Sequence, residues 1–277
     1  MTSAAAIAPA SLVAFVEGVG LLGPGLSNWA QGRQCLDGSV PYESARTVLP
    51  PPMALPSAER RRAGAVIKAS LAVGREAVDA SGLQASELPS VFSSSSGDPL
   101  NCHEICSQLA SGDRLISPTR FHNSVHNASS GYWSISSNAM ASSSVLCARD
   151  GGFAAGLLEA MTQCAVAAMP VLLIVYDAEY PEPLYRTRPV PDAMGIALVL
   201  APQSSERSIA RVALAGDSYL TTKAADIMDN AALESLRQTI PAARGLPLLQ
   251  AIAKAQARPL ALGYLDDLQL AVEVAPC

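Results

Sequence analysis

The chain has 277 residues, of which 49% are hydrophobic and only 16% are charged, and its formal net charge is −5. This length can bury a full core without disulfides or metals, and the composition excludes a disordered chain. The negative charge argues against a general nucleic-acid binder, and a charged fraction below the usual value of about 25% indicates a surface partly covered by a partner.

The N-terminal segment is apolar but carries no Lys or Arg before Glu17, so it lacks the positive region of a secretory signal. The longest apolar run, 164–176, contains Pro170 and is too short to cross a bilayer. Six cysteines in a chain of this length do not make a disulfide scaffold. We therefore predict a cytoplasmic protein with reduced thiols and no membrane insertion.

The predicted elements alternate between strands and helices, which indicates an α/β sheet buried on both faces. The first half predicts a strand at 11–17, a glycine-rich turn at 18–25 and a short helix at 26–37. An irregular proline-rich segment at 38–57 and a strong helix at 58–81 follow. Beyond it, we expect strands at 88–93, 142–148, 171–176, 195–200 and 209–214, helices at 99–111 and 150–169, and a polar loop at 117–135. The tail predicts a partly helical linker at 215–240, a helix at 241–256 and a hairpin at 259–274.

The glycines Gly18, Gly20 and Gly23 follow the first strand with the spacing of the dinucleotide-binding fingerprint. That site needs a helix to begin at the turn and an acidic residue about twenty positions later. Here Pro24-Gly25 delays any helix and the next region is rich in proline. We predict a structural glycine turn and no cofactor.

Cys102-His103-x-x-Cys106 places two cysteines four residues apart on a predicted helix. A structural zinc site needs two further ligands, and the other histidines, His122 and His126, come without a second cysteine pair. We therefore predict core cysteines and no metal site.

Arg60-Arg61-Arg62 stands at the start of a predicted helix. The run has two interpretations, contact with an acidic carrier protein or a solvated helix face. The solvated face is the commoner of the two.

The segment 142–160 predicts a strand that turns sharply at Arg149-Asp150 into a helix rich in glycine and alanine. A cysteine at such a turn would be activated by the helix N-terminus. The residue here is Asp150, a favoured N-cap that would accept from the N–H of Gly152 or Phe153. Cys147 falls three residues earlier, where we predict a buried core thiol.

Taken in order, these landmarks resemble the N-terminal half of a β-ketoacyl synthase, a family with the thiolase fold. The resemblance covers about residues 11–215 and includes the opening strand with its glycines, the helix ending in Ser81-Gly82-Leu83, the strand–helix turn at 142–160 and the segment 192–201. The segment 117–135 resembles the family's interface loop, and the residues on its recurrent positions are Asn127, Gly131, Ser134 and Ile135.

The chain departs from the family at two points. Counted without gaps from Ser134, the position of the nucleophilic cysteine falls on Asp150, and a gap of three residues would be needed to place Cys147 there. The second half, which supplies two histidines in the family, is missing, and no histidine follows His126. A carboxylate cannot hold an acyl chain as a thioester, so the resemblance implies a catalytically inactive homologue.

Both departures occur in short synthase-like proteins of aryl polyene and xanthomonadin-type pigment clusters, which are regarded as chain length factors. The tail, with PAARGLPLLQAIA and a hairpin, resembles theirs. Such a subunit pairs with a catalytic ketosynthase and shapes the tunnel that measures the growing chain. The resemblance thus implies a heterodimer, or a self-dimer, that works with an acyl carrier protein and needs no cofactor.

We therefore expect an α/β thiolase-like fold with a mixed sheet and helices on both faces, in a domain over 1–215 and a helix–hairpin tail over 216–277. Asp150 would occupy the vacant nucleophile position. The partner interface is expected at or near His122, Asn127, Tyr132 and Trp133.

Two other functions stay open. One is an active condensing enzyme or acyltransferase that uses Cys147, with His122 or His126 as base. The other is a thiolase-fold binding protein or scaffold without acyl chemistry.

Overall fold

The computed structural model describes residues 12–112, 115–214 and 219–277, which form one mixed sheet with helices on both faces. This confirms the predicted mixed sheet. The N-terminal segment 1–11 and the predicted domain boundary at residue 215 lie outside the described residues. The strands are β1 (Leu12–Leu22), β2 (Ser90–Ser94), β3 (Ser143–Cys147), β4 (Val171–Asp177), β5 (Met194–Ala201), β6 (Ala210–Leu214), β7 (Leu220–Thr221), β8 (Arg258–Gly263) and β9 (Gln269–Pro276).

The helices include two long ones that cover opposite faces of the sheet, α3 and α7. All helices are α1 (Trp29–Asp37), α2 (Ser57–Arg62), α3 (Ala65–Ser81), α4 (Pro99–Ala110), α5 (Pro118–His122), α6 (Ala128–Ser137), α7 (Gly152–Ala167), α8 (Leu184–Thr187), α9 (Ala231–Thr239) and α10 (Leu246–Ala253). Two 3₁₀ segments, Arg149–Gly151 and Pro241–Gly245, lead into α7 and α10. No helix of the described chain is long and apolar enough to cross a membrane.

The strands follow the order β3-β2-β4-β5-β1-β6-β9, and β7 and β8 also pair with β9. β2 is parallel to β3 and β4, while the other pairs are antiparallel. The predicted terminal hairpin is confirmed as β8 and β9. Since β9 pairs with β6, the hairpin extends the sheet that the first strands build.

Two apolar cores lie on the two faces of the sheet, as strand alternation requires. On β4, the side chains of Val171, Leu173 and Val175 join the core beneath α7 and α10. Those of the intervening residues, including Ile174 and Tyr176, join the core beneath α3 and α6. This explains the unbroken apolar sequence of the strand, since it is buried on both faces.

The glycine turn was predicted to begin at Gly18, but β1 continues to Leu22 and the turn lies at Gly23–Leu26. The reason is a close approach between β1 and α3. A Cβ on Gly18 would stand 2.0 Å from the carbonyl oxygen of Ala77, and one on Gly20 would stand 2.0 Å from that of Val73. These glycines allow α3 to pack directly on β1.

The predicted helix over 58–81 is divided at Ala63-Gly64 into α2 and α3. The carbonyl of Arg62 accepts a hydrogen bond from the Nδ2 of Asn123 (3.0 Å). This tertiary bond satisfies a carbonyl at the end of α2 that an unbroken helix would have bonded internally.

The polar loop predicted at 117–135 is wrong, because most of it forms α5 and α6. Helix α6 buries Ser129 and Ser130 beside Tyr132 and Trp133. The hydroxyl of Ser130 donates to the carbonyl of Asn127 (2.9 Å), so a serine can be buried in this helix without an unmet donor. A search for apolar periodicity misses a helix whose buried face is half serine.

Candidate functional site

The strand–helix turn predicted near Asp150 is present and forms an elbow between β3 and α7. β3 ends at Cys147, the 3₁₀ turn follows, and α7 begins at Gly152. Arg149 has a φ of 49°, the left-handed region that side chains other than glycine rarely adopt. Gly151 packs closely against the β8–β9 turn, since a Cβ there would stand 2.1 Å from the carbonyl oxygen of Tyr264. The backbone of the elbow is therefore strained at Arg149, and the β8–β9 turn packs against it at Gly151.

Asp150 is not the N-cap of α7, which corrects the prediction. The N-cap is Gly151, and no side chain caps the helix. The Asp150 carboxylate instead forms ion pairs with Arg188 and with Arg244, the latter at 3.2 Å. A charge-assisted hydrogen bond from Arg188 and an ion pair with Arg244 together outweigh a single bond to a backbone N–H.

Arg188 connects Asp150 to the loop after β2. Its Nη1 donates to the hydroxyl of Tyr180 (2.9 Å), and this hydroxyl is hydrogen-bonded to Ser95 (3.1 Å) and Ser96 (2.7 Å). Arg188 also lies over the Tyr180 ring, 5.5 Å from its centroid. A polar network thus connects the elbow to the β2–α4 loop, which holds Ser95 and Ser96, and to the segment between β4 and β5, which holds Tyr180 and Arg188.

A buried carboxylate, Asp177, stands at the end of β4 behind this network. It accepts the backbone N–H of Ser95 (2.9 Å) and of Ala242 (2.8 Å). Burial raises the pKa of Asp177 to about 6, although these hydrogen bonds and the charge of Arg188 act in the opposite direction. Asp177 therefore joins β4 to the β2–α4 loop and to the 3₁₀ segment that precedes α10.

Cys147 is exposed, so the prediction of a buried core thiol is wrong. The cause is the position of β3, which is an edge strand with half-buried and exposed residues. The Sγ of Cys147 lies 3.6 Å from the Oγ of Ser94. Within the described residues, no hydrogen bond joins Cys147 to His122 or His126.

The elbow borders a cleft of about 700 Å³. Its lining includes Arg149, Asp150, Arg237, Arg244 and Tyr264. Arg237 is engaged by Glu234 in a two-bond ion pair (2.6 and 2.7 Å), and burial lowers the pKa of Arg244. In the part of the cleft that the structure describes, neither a thiol nor an imidazole stands beside Asp150, so the cleft offers charge and hydrogen bonds but no nucleophile.

The structure brings together two of the four predicted interface residues. The rings of His122 and Tyr132 meet edge to face with centroids 6.5 Å apart, and the Tyr132 hydroxyl donates to Asn123 (3.1 Å). Tyr132 and Trp133 are each only 2% exposed, so their side chains pack within this chain. His122 and Asn127 are exposed. The position of the interface itself stays a prediction.

Cys102 and Cys106 are exposed on α4, so the prediction of core cysteines is wrong. Helix α4 buries only Pro99 and Asn101, which leaves its other side chains toward the surface. Across the described ranges, no group of three or more His, Cys, Asp or Glu side chains is placed to hold a metal.

Comparison with known proteins assigns the fold to a family. A sequence model described as the β-ketoacyl synthase N-terminal domain matches residues 28–258. The chain belongs to the β-ketoacyl synthase family. This confirms the resemblance drawn from the sequence, and the family's thiolase-like fold agrees with the mixed sheet described above. A search of curated protein sequences found no match.

Three solved structures share the β-ketoacyl synthase fold with this chain over nearly its whole length. A ketosynthase (ApeO) in complex with its chain length factor (ApeC) from Xenorhabdus doucetiae is 20% identical, with 94% of this chain and 99% of that chain covered and a TM-score of 0.70. The ishigamide ketosynthase/chain length factor is 12% identical, with 95% of this chain and 99% of that chain covered and a TM-score of 0.70.

The third is AntDE:AntF, a type II polyketide synthase carrier protein in complex with its ketosynthase bound to the hexaketide. It is 11% identical, with 96% of this chain and 99% of that chain covered and a TM-score of 0.71. At these identities, the three structures establish the fold.

Sequence reasoning missed the residues that hold Asp150. Arg188 and Arg244 follow it by many residues, in segments that carry no motif. The only local signal was the charged pair Arg149-Asp150 at a turn where small residues surround it.

Proposed function

We propose that this chain is a non-catalytic subunit of the chain length factor type, which pairs with a catalytic ketosynthase. The observation that carries the proposal is the double ion pair of Asp150 with Arg188 and Arg244 at the elbow. A carboxylate held by two guanidinium groups cannot form the thioester that a condensing enzyme needs. In this proposal, Asp150 fills the vacant nucleophile position beside the strained Arg149.

An exposed apolar surface supports the pairing. Seven large hydrophobic side chains are exposed between residues 100 and 140, and we call them the apolar face: Leu100, Leu109, Leu115, Phe121, Val125, Ile135 and Met140. Exposed apolar side chains that lie together mark protein interfaces, and we propose that these seven do so. The edge strand β3 adjoins them in sequence, and within the described sheet it pairs only with β2. An open strand edge presents unpaired backbone groups with which a strand of another chain can pair.

The ketosynthase is the partner that we propose for the apolar face. Two of the solved structures are described as assemblies of a ketosynthase with a chain length factor, and both match this chain almost end to end. The resemblance to aryl polyene and xanthomonadin-type proteins supports an aryl polyene synthase in the cytoplasm as the setting.

An acyl carrier protein is the second proposed partner. Arg61, Arg62 and Arg120 are among the residues that line a cleft of about 740 Å³ beside α2. Arg60 does not contribute, because its guanidinium donates to the carbonyl of Leu55 (3.0 Å). Arg61 is exposed, so its guanidinium group is accessible to an acidic carrier protein.

One observation favours a second candidate function, an active condensing enzyme or acyltransferase. Cys147 is exposed and lies next to the elbow. A thiol with this access could accept an acyl group. A scaffold role without acyl chemistry would instead produce a stable self-dimer that ignores the ketosynthase.

Replacing Phe121 or Ile135 by Glu should prevent the pairing with the ketosynthase. Each places a charge on the apolar face, and a well-packed interface contact is worth about 2 kcal/mol or more. We expect at least about a tenfold loss of this chain in pull-downs on a tagged ketosynthase from the same gene neighbourhood.

The matched control is Val48→Glu, which places the same charge on an exposed apolar position outside the apolar face. It should be recovered with the ketosynthase as efficiently as the wild type. If Phe121→Glu and Ile135→Glu are recovered equally well, the proposed interface is wrong. A wild-type self-dimer that leaves the ketosynthase unbound would favour the scaffold.

A further inference from the structure

A second concave site lies on the α3 side of the sheet, where it shares no residue with the elbow cleft. It is a groove of about 650 Å³ between the end of β1, the start of α1, the proline-rich segment and α3. Apolar side chains form most of its wall: Leu21, Leu22, Pro51, Met53, Leu71 and Trp133. A concave apolar wall with a few polar groups is typical of a small-molecule site.

Two residues that line this groove carry a donor without a partner among the described residues. The indole Nε1 of Trp133 is buried and makes no hydrogen bond, although Trp133 is only 2% exposed. Lys68 lines the groove half-buried, and its ammonium group makes no ion pair or hydrogen bond within the described chain. A buried donor without a partner is costly and indicates that a ligand or water completes it.

The other charged groups of the groove are already engaged. The carboxylate of Glu76 accepts the backbone N–H of Leu21 (2.9 Å) and of Trp29 (2.6 Å), and burial raises its pKa. Arg75 and Asp79 face each other at 3.7 Å. The ammonium group of Lys68 is therefore the charged group of the described groove that remains available to a ligand.

We propose that this groove binds a free carboxylate with a long apolar chain, a ligand of the fatty-acid class. The chain lies along the apolar wall at Leu21, Leu71 and Trp133, and the carboxylate pairs with the ammonium of Lys68. The unpaired ammonium group of Lys68 favours a ligand whose polar end carries acceptors only, as a carboxylate does. The inference does not depend on the proposed pairing with a ketosynthase.

The test uses cis-parinaric acid, a fluorescent polyene fatty acid, and its methyl ester, both titrated into the intact chain. We expect the acid to bind more tightly than the ester. Lys68→Gln should raise the Kd of the acid about tenfold, the usual effect of losing a hydrogen bond to a charged group, and leave the Kd of the ester unchanged. Lys223→Gln, the matched control on an exposed lysine outside the groove, should bind both as the wild type does.

Ala72→Trp places a bulky side chain in the groove and should abolish binding of both probes. Thermal unfolding of each variant establishes that it is folded. The proposal is overturned if the wild type binds neither probe, if Lys68→Gln binds the acid as tightly as the wild type, or if folded Ala72→Trp retains binding.

Discussion

Gly20→Ala should destabilise the protein by about 4 kcal/mol, because the added methyl group meets backbone and not a side chain. Its Cβ would stand 2.0 Å from the carbonyl oxygen of Val73, with the Val73 carbonyl carbon at 2.7 Å. Neither atom can rotate away, so β1 and α3 must separate. A loss of this size is a large part of the about 5–15 kcal/mol that stabilises a typical domain. Urea unfolding of the purified variants measures it.

Gly131→Ala is the matched control for this substitution. A Cβ on Gly131 would have no atom within 4 Å, and the residue lies inside α6. Replacing an exposed helical glycine by alanine should therefore stabilise the protein by about 0.5–1 kcal/mol. The close packing of α3 on β1 is contradicted if Gly20→Ala unfolds at the same urea concentration as the wild type.

The buried carboxylate of Asp177 should make the protein less stable as the pH rises from about 4 to about 7. The pKa of Asp177 is raised to about 6 in the folded chain, against about 3.9 in an unfolded chain. The folded state therefore binds the proton more tightly, and its stabilising effect is present below pH 4 and lost as the pH passes 6. The linked change in the free energy of unfolding is about 3 kcal/mol.

Asp177→Asn isolates this contribution, because the amide does not titrate. The variant has a constant penalty, since its NH₂ group replaces one of the two carboxylate oxygens and cannot accept the backbone N–H that this oxygen accepts. The stability of the wild type minus that of the variant should fall by about 3 kcal/mol between pH 4 and pH 7 in urea titrations. Asp267→Asn, on an exposed turn residue, serves as control. A difference between wild type and Asp177→Asn that does not vary with pH would contradict the account.

Much of the fold follows from local sequence patterns. The continuous apolar strand β4, the small-residue helix α7 and the terminal hairpin were all predicted, since each carries its signal within a few neighbouring residues. The elements that were missed depend on distant contacts. Helix α6 buries serines that satisfy their hydroxyls within the helix, and the glycines of β1 make room for a helix some fifty residues later.

The candidate site was only partly predictable. The turn between β3 and α7 and the presence of Asp150 at it came from the sequence. The ion pairs of Asp150 did not, because Arg188 and Arg244 reach the elbow only through the folded arrangement of their loops. The exposure of Cys147 was missed for a related reason, since an apolar sequence such as SVLC does not reveal that its strand lies at the edge of the sheet.

Intact-protein mass spectrometry tests the central proposal most directly. The chain and its Cys147→Ala variant are mixed with malonyl- and acyl-carrier protein, with and without the ketosynthase from the same gene neighbourhood. We expect the acyl adduct on the ketosynthase alone, condensation only by the pair, and the same result for Cys147→Ala. An acyl adduct on this chain that disappears in Cys147→Ala would contradict the account and make the protein a condensing enzyme or acyltransferase.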